Sequence, residues 1–197
     1  MLGCAPRARP LAGAPTTLRL PTARLPEGHQ RVTFRWEFSD GDVGFEGEGV
    51  ARIAAPDSAR LDFFVNSGLG GGYAVLLGET LIVPRGAEQI RRVLPPVPLL
   101  WAALGRLALP PSADTTVRAD GRLLRADIGR SPSWRVTFDS ARLVELTRID
   151  DGRVAERVTR GGDGRVNYQH LTAQRRLTLT NLSAVPAAEF DASIWRP

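Results

Sequence analysis

The chain has 197 residues, 43% of them hydrophobic and 24% charged, enough to close one sizeable core but short for two domains. No apolar run reaches the roughly 18 residues of a membrane-spanning helix, and the composition is not that of a disordered chain. All 26 basic residues are arginine and the net charge is +5. These arginines fall singly among acids, so the clustered basic face that a nucleic acid requires is missing and no nucleic-acid partner is expected.

Cys4 is the only cysteine, which excludes an internal disulfide and a thiolate zinc site. It follows Leu2-Gly3, where a bacterial lipoprotein would carry its lipid; the charged and apolar parts of the signal peptide that such an ending closes would lie upstream of Met1. The alternative is a free thiol in a loose terminus. Between Ala5 and Gly28, five prolines (Pro6, Pro10, Pro15, Pro21 and Pro26) interrupt a stretch without apolar period. This predicts an extended spacer, or else a disordered terminus. Residues 1–28 are therefore read as a lipoprotein-type N-terminus and linker, and residues 29–197 as the folded domain.

Period two begins at Val32. Val32, Phe34, Trp36 and Phe38 share one face, with Arg31, Thr33, Arg35, Glu37 and Ser39 on the other, the pattern of a half-buried strand. Asp40-Gly41 turns the chain into a second strand in which Gly47, Gly49 and Ala51 leave space or permit a bend. Leu61, Phe63 and Val65 mark a third strand, Tyr73 to Leu77 a fourth, and Thr80 to Val83 a fifth. From about 85 to 110 the pattern changes to a helical insertion. Ala87, Ile90 and Leu94 lie on one face, and Leu99 to Leu107, entered through Pro98, is apolar nearly all round, so it must be covered on both sides. Strands then resume over Thr116–Ala119, Leu123–Ile128, Trp134–Phe138, Leu143–Ile149, Arg153–Thr159, Arg165–His170 and Arg176–Leu182, with Asp-Gly turns recurring between them. The expectation is a mainly β domain of about eleven antiparallel strands with one helical insertion.

Chemistry-bearing patterns are few. His29 and His170 have no second ligand at metal spacing. The run Ser67-Gly68-Leu69-Gly70-Gly71-Gly72 is not followed by the helix that a dinucleotide fingerprint requires. The acids fall mostly at turns, where hairpin geometry already explains them. No catalytic residue, metal or cofactor is expected, and the protein is read as a non-enzyme.

An antiparallel meander with an apolar helical lid in its middle, behind a lipoprotein-like cysteine, resembles the LolA and LolB superfamily of outer-membrane lipoprotein-localisation proteins, LolB more closely. The likeness rests on Phe34-Arg35-Trp36, Asn66-Ser67-Gly68-Leu69-Gly70, Leu100-Trp101-Ala102-Ala103-Leu104-Gly105 before Pro110, and Ser133-Trp134-Arg135-Val136-Thr137-Phe138. Gly68 stands where that family usually has a proline, and a glycine run follows Leu69. The resemblance implies a half-open antiparallel β-barrel enclosing an apolar cavity for acyl chains. Phe34, Trp36, Phe38, Phe63, Val65, Trp134, Val136 and Phe138 would line it, and Leu100, Trp101 and Leu104 would form a displaceable lid. The plain alternative for these side chains is a filled core.

By the same resemblance, Cys4 would be lipidated and Leu69 would dip into the membrane. The protein would sit on the outer membrane facing the periplasm, Ala5 being no inner-membrane retention signal by analogy. It would receive lipoprotein acyl chains from a LolA-type carrier. Burying each CH₂ is worth about 0.8 kcal/mol, so carrying three acyl chains bare through water would cost on the order of 30 kcal/mol. A sheltered handoff between like environments avoids that cost. Two alternatives remain at this stage: a protein of the same fold that binds another amphiphile, and a structural lipoprotein that docks a protein partner.

Overall fold

A computed structural model describes residues 5–66, 70–110, 112, 114–130 and 133–196. Cys4 and Leu69 lie outside the described residues. Two meanders build a single antiparallel sheet. The first comprises β2 (His29–Asp40), β3 (Val43–Ala54), β4 (Ser58–Val65), β5 (Gly71–Leu77) and β6 (Thr80–Ile82). The second comprises β7 (Thr115–Asp120), β8 (Leu123–Ile128), β9 (Ser133–Asp139), β10 (Arg142–Asp150), β11 (Arg153–Arg160), β12 (Arg165–His170) and β13 (Arg175–Ala187). The pairing of β13 with β2 joins them, and the two-residue β1 (Ala14–Pro15) adds to β7. The spatial order is β1-β7-β8-β9-β10-β11-β12-β13-β2-β3-β4-β5-β6.

This order leaves β6 at one edge and β7, with β1 on it, near the other, so the chain between β6 and β7 must travel from edge to edge. It carries α1 (Glu88–Val93) and α2 (Val97–Leu104). α1 packs on β5, and α2 lies against β10, β11 and β12 on the concave side. Sheet and crossing together form the half-open barrel with a helical insertion. The alternation predicts about eleven strands against thirteen in the structure; each of β2–β13 has a counterpart among the segments read from the sequence, and β1, concealed among prolines, has none.

The period-two faces settle as read. Phe34, Trp36 and Phe38 are buried with Leu61, Phe63, Val136 and Phe138, and Phe63 meets the rings of Phe34 and Trp36 edge-on, each at 5.6 Å. Phe34 pairs across the ladder with Gly49 and Trp36 with Gly47. The glycines give the rings room to lie over the neighbouring backbone, and Trp36 Nε1 donates to the Glu48 carbonyl at 3.1 Å. Arginines pair with acids across strands: Arg135 with Asp127 at 2.7 Å on the convex face, and Arg175 with Asp40 at 2.8 Å where β13 and β2 meet at one end of the concave face. Hydrogen bonding to Asp127 raises the pKa of Arg135. Asp151 and Gly152, both with positive φ, close β10 on β11 as a two-residue loop needs.

The proline-rich segment is extended, but it is laid on the body rather than standing free of it. Arg7 bridges to Arg153, Arg153 donates to the Ala5 carbonyl at 2.9 Å, and Arg135 to the Arg9 carbonyl at 2.8 Å. Farther along, Ala23 and Leu25 are buried in the main core, and Leu107 N–H donates to the Ala23 carbonyl at 3.0 Å. The pair Ala23-x-Leu25 is too short to register as a period.

A Cβ on Gly49 would fall on the Phe34 ring and within 2.7 Å of the Asp62 carbonyl oxygen. Gly49→Val is therefore expected to destabilise the fold by about 1–3 kcal/mol in urea denaturation. Gly44→Ala, at the exposed start of the same strand, should stay within about 0.5 kcal/mol.

Candidate functional site

The concave face is nearly filled by α2, whose residues Leu99 to Ala103 are all buried. Trp101 is 0% exposed. Its Nε1 donates to the Gly78 carbonyl in the β5–β6 turn at 2.7 Å, and the Arg106 guanidinium lies over its ring at 4.6 Å. Pro98 in the first turn suits the helix start, and Gly105 at φ 97° ends it.

Space remains where α2 stops. A cavity of about 430 Å³ opens at the end of the sheet marked by the β3–β4 and β11–β12 turns. Its floor is Phe34, Ala51, Ile53, Leu61, Leu143 and Val166, all buried, and Ala103 and Leu104 of α2 form one wall. The segment Thr22–Pro26 forms the other side, a strap tied to the end of α2 by the Leu107–Ala23 hydrogen bond. Exposed Arg24, Arg142, Asn181 and Ala184 stand at the rim. The volume falls within the range of small-ligand pockets, roughly 300–1,000 Å³.

Of the residues read from the sequence as a cavity, only Phe34 lines this one; of the lid residues, only Leu104 does. Trp36, Phe38, Phe63, Val136, Phe138, Leu100 and Trp101 are packed into the core beside it, with Val65 and Trp134 half-buried at its margin. Alternation places a side chain on the concave face but not at a given height along the bore, and height decides whether α2 covers it. The strap residues and Arg160 carry no sequence signal of a cavity.

Beneath α2 toward the opposite end lies a buried polar cluster. Glu156, 2% exposed, accepts from the Tyr168 hydroxyl at 2.6 Å and faces Arg148 at 3.1 Å. Burial first, and then the hydrogen bond to Glu156, pushes the Tyr168 phenol far above its ordinary value. That opposite end carries the β2–β3 and β10–β11 turns and, through Arg153, the described start of the chain at Ala5. Val43 and Phe64, each 54% exposed, and Phe45, 49% exposed, are large apolar side chains there. Nearby, the Asn66 N–H donates to the Glu46 carbonyl at 3.1 Å where the β4–β5 connection begins. Among the described residues no group of His, Cys, Asp and Glu could hold a metal, and no helix is long and apolar enough to cross a membrane.

No family model matches the chain, and no curated protein matches it by sequence. Solved structures do match in fold. A LolA superfamily protein from Nitrosomonas europaea has a TM-score of 0.59 at 10% identity over 87% of this chain and 91% of its own. A domain named as an outer membrane lipoprotein-sorting protein, from Vibrio parahaemolyticus, has a TM-score of 0.53 at 9% identity over 86% and 89%. A DUF1329 family protein from Desulfovibrio piger has a TM-score of 0.59 at 7% identity over 86% and 90%. The chain thus has the LolA/LolB-like fold.

Trp101→Phe removes the indole N–H that donates to the half-buried Gly78 carbonyl, and should cost about 1–3 kcal/mol, read by denaturation. The raised Tyr168 pKa means that its contribution to stability is fully present below the unfolded phenol value of about 10 and is lost as pH rises above it. Wild type is expected to lose stability above about pH 10 more steeply than Tyr168→Phe, by thermal unfolding across alkaline pH.

Proposed function

We propose that the protein is a lipid-anchored, non-catalytic acyl-chain binder of the outer membrane, facing the periplasm. It takes lipoprotein acyl chains from a LolA-type carrier between its sheet and α2, and helps insert the lipoproteins into the membrane. The observation that carries this reading is the apolar cavity at the end of α2, with a buried floor and a roof made of two short pieces, the helix end and the Thr22–Pro26 strap. A fold shared with a lipoprotein-sorting domain supports it.

As it stands the cavity suits one acyl chain. Three chains require α2 and the strap to move outward, exposing the apolar concave face along which Phe34, Trp36 and Phe63 lie. The exchange replaces protein contacts with lipid contacts of similar kind and needs no chemical energy. At the other end, exposed Val43, Phe45 and Phe64 lie on the strands that flank the connection containing Leu69, and Arg153 holds Ala5, the residue after Cys4, at that same end. A lipid on Cys4 would bring this end against the membrane.

The full chain should bind a fluorescent acyl probe that a triacyl lipopeptide displaces. Ala51→Phe, which places a ring in the cavity, should abolish probe binding while the protein stays folded; retained binding in a folded Ala51→Phe protein would remove the cavity from the mechanism. Leu69→Glu and Phe45→Glu should keep lipopeptide binding and lose delivery to outer-membrane vesicles. Unaltered delivery by Leu69→Glu would take Leu69 out of it.

A further inference from the structure

The polar lining of the cavity carries charge of one sign. Arg24, Arg142 and Arg160 line it, and no Asp or Glu does. Arg135 on the convex face and Arg175 at the opposite end of the concave face each meet a carboxylate, whereas Arg160 projects from the last residue of β11, beside the cavity, on the same side as buried Val158. Its Nη1 donates to the Leu143 carbonyl at 3.3 Å, and its Nε is buried without a partner among the described residues. The guanidinium lies against Gly105, where a Cβ would come within 3.0 Å of both Nη atoms.

Arg142 stands beside it. It donates to the Gly161 carbonyl at 3.2 Å and reaches Asp139 only at 3.7 Å, while Asp139 is held by Arg122 at 2.8 Å. Burial first, and then Arg142, lowers the pKa of Arg160. Of the three cations lining the cavity, Arg160 and Arg142 stand side by side, the first half-desolvated, with no carboxylate in the lining, an arrangement that an anion would stabilise. A planar guanidinium with free N–H groups matches a carboxylate or phosphate best.

We propose that the cavity in this closed form binds an amphiphile with a single acyl chain and an anionic carboxylate or phosphate head, the head at Arg160 and Arg142 and the chain over Phe34, Ala51, Leu61 and Val166. A purely structural role for Arg160, holding the end of α2, explains its packing on Gly105 and its bond to Leu143. It leaves Nε without a partner among the described residues and leaves the repulsion from Arg142 uncompensated within the cavity. The acylated cysteine of a lipoprotein bears no charge at its lipid end, so this ligand is distinct from the cargo. The assignment rests on the acyl-binding reading and adds a headgroup to it.

The test titrates the full chain with dansyl-labelled undecanoic acid and with its uncharged methyl ester. The acid is expected to bind at least about 10-fold more tightly. Arg160→Gln should bring that ratio toward one, and Arg160→Lys should retain most of it. If Arg160→Gln does not fold, Arg142→Gln and the loss of the ratio at high salt take its place. Displacement by lysophosphatidic acid would make the head a phosphate, and displacement by fatty acid alone a carboxylate. Equal affinity for acid and ester, a ratio unchanged in folded Arg160→Gln, or displacement by inorganic phosphate as effective as by lipid would overturn the proposal. Ester binding without acid preference would reject the headgroup and keep the acyl-binding reading; binding of neither probe would reject both.

Discussion

A helix without a polar face cannot lie on the surface of a protein, and α2 has none: Leu99, Leu100, Trp101, Ala102 and Ala103 are all buried. The rest of the molecule answers that constraint. A sheet wide enough to wrap a helix is assembled from two meanders joined at β13 and β2. Its concave face carries the large aromatics, and glycines opposite Phe34 and Trp36 let those rings lie close to β3. Trp101, bonded to the Gly78 carbonyl, fixes the helix to the β5–β6 turn. Because α2 is only eight residues long, it cannot fill the bore to both ends, and what it leaves is the cavity.

The strap turns that gap into a site. Prolines keep Thr22–Pro26 extended, and a backbone bond from Leu107 to Ala23 links it to the stretch just after α2, so helix end and strap form one roof. Among the described residues few hydrogen bonds tie this roof to the sheet, whose strands are laced together along their length, and elements held mainly by apolar contact are those that can open in ligand exchange. The N-terminal segment also constrains the proposed anchor. With Ala5 bonded to Arg153, a lipid on Cys4 would hold the body close to the membrane at the end bearing Phe45 and Phe64, instead of on a long tether. The cavity mouth would then face away from the bilayer, toward the proposed carrier.

Much of this was legible in the chain. Strict alternation over Val32–Phe38 and Trp134–Phe138 identifies concave faces because a one-residue slip would expose every aromatic. The absence of a polar face in Leu99–Leu107 places α2 inside the sheet. What alternation does not encode is position along the bore, so Trp36, Phe38, Phe63, Val136 and Phe138 read the same as Phe34 although α2 packs over them and leaves only Phe34 at the cavity. The proline-rich segment, strap included, was illegible for a different reason. Its backbone is held by bonds to Arg153, Arg135 and Leu107, which lie far along the chain, and proline-rich composition describes local stiffness but not what the segment rests on. Arg160 reads as one more arginine of a solvated strand; only the fold puts it on the concave side, apart from any acid lining the cavity.

The claim on which the account turns is that acyl cargo enters by displacing α2 and the strap together. Hydrogen exchange of the full chain with and without a triacyl lipopeptide tests it most directly, read at residues 20–26 and 97–107. The account expects amides in both stretches to lose protection together as lipopeptide saturates the protein, while those of β2 and β3 keep theirs. Saturable binding with both stretches as protected as in the free protein would contradict it, because the cargo would then be held somewhere other than beneath this roof.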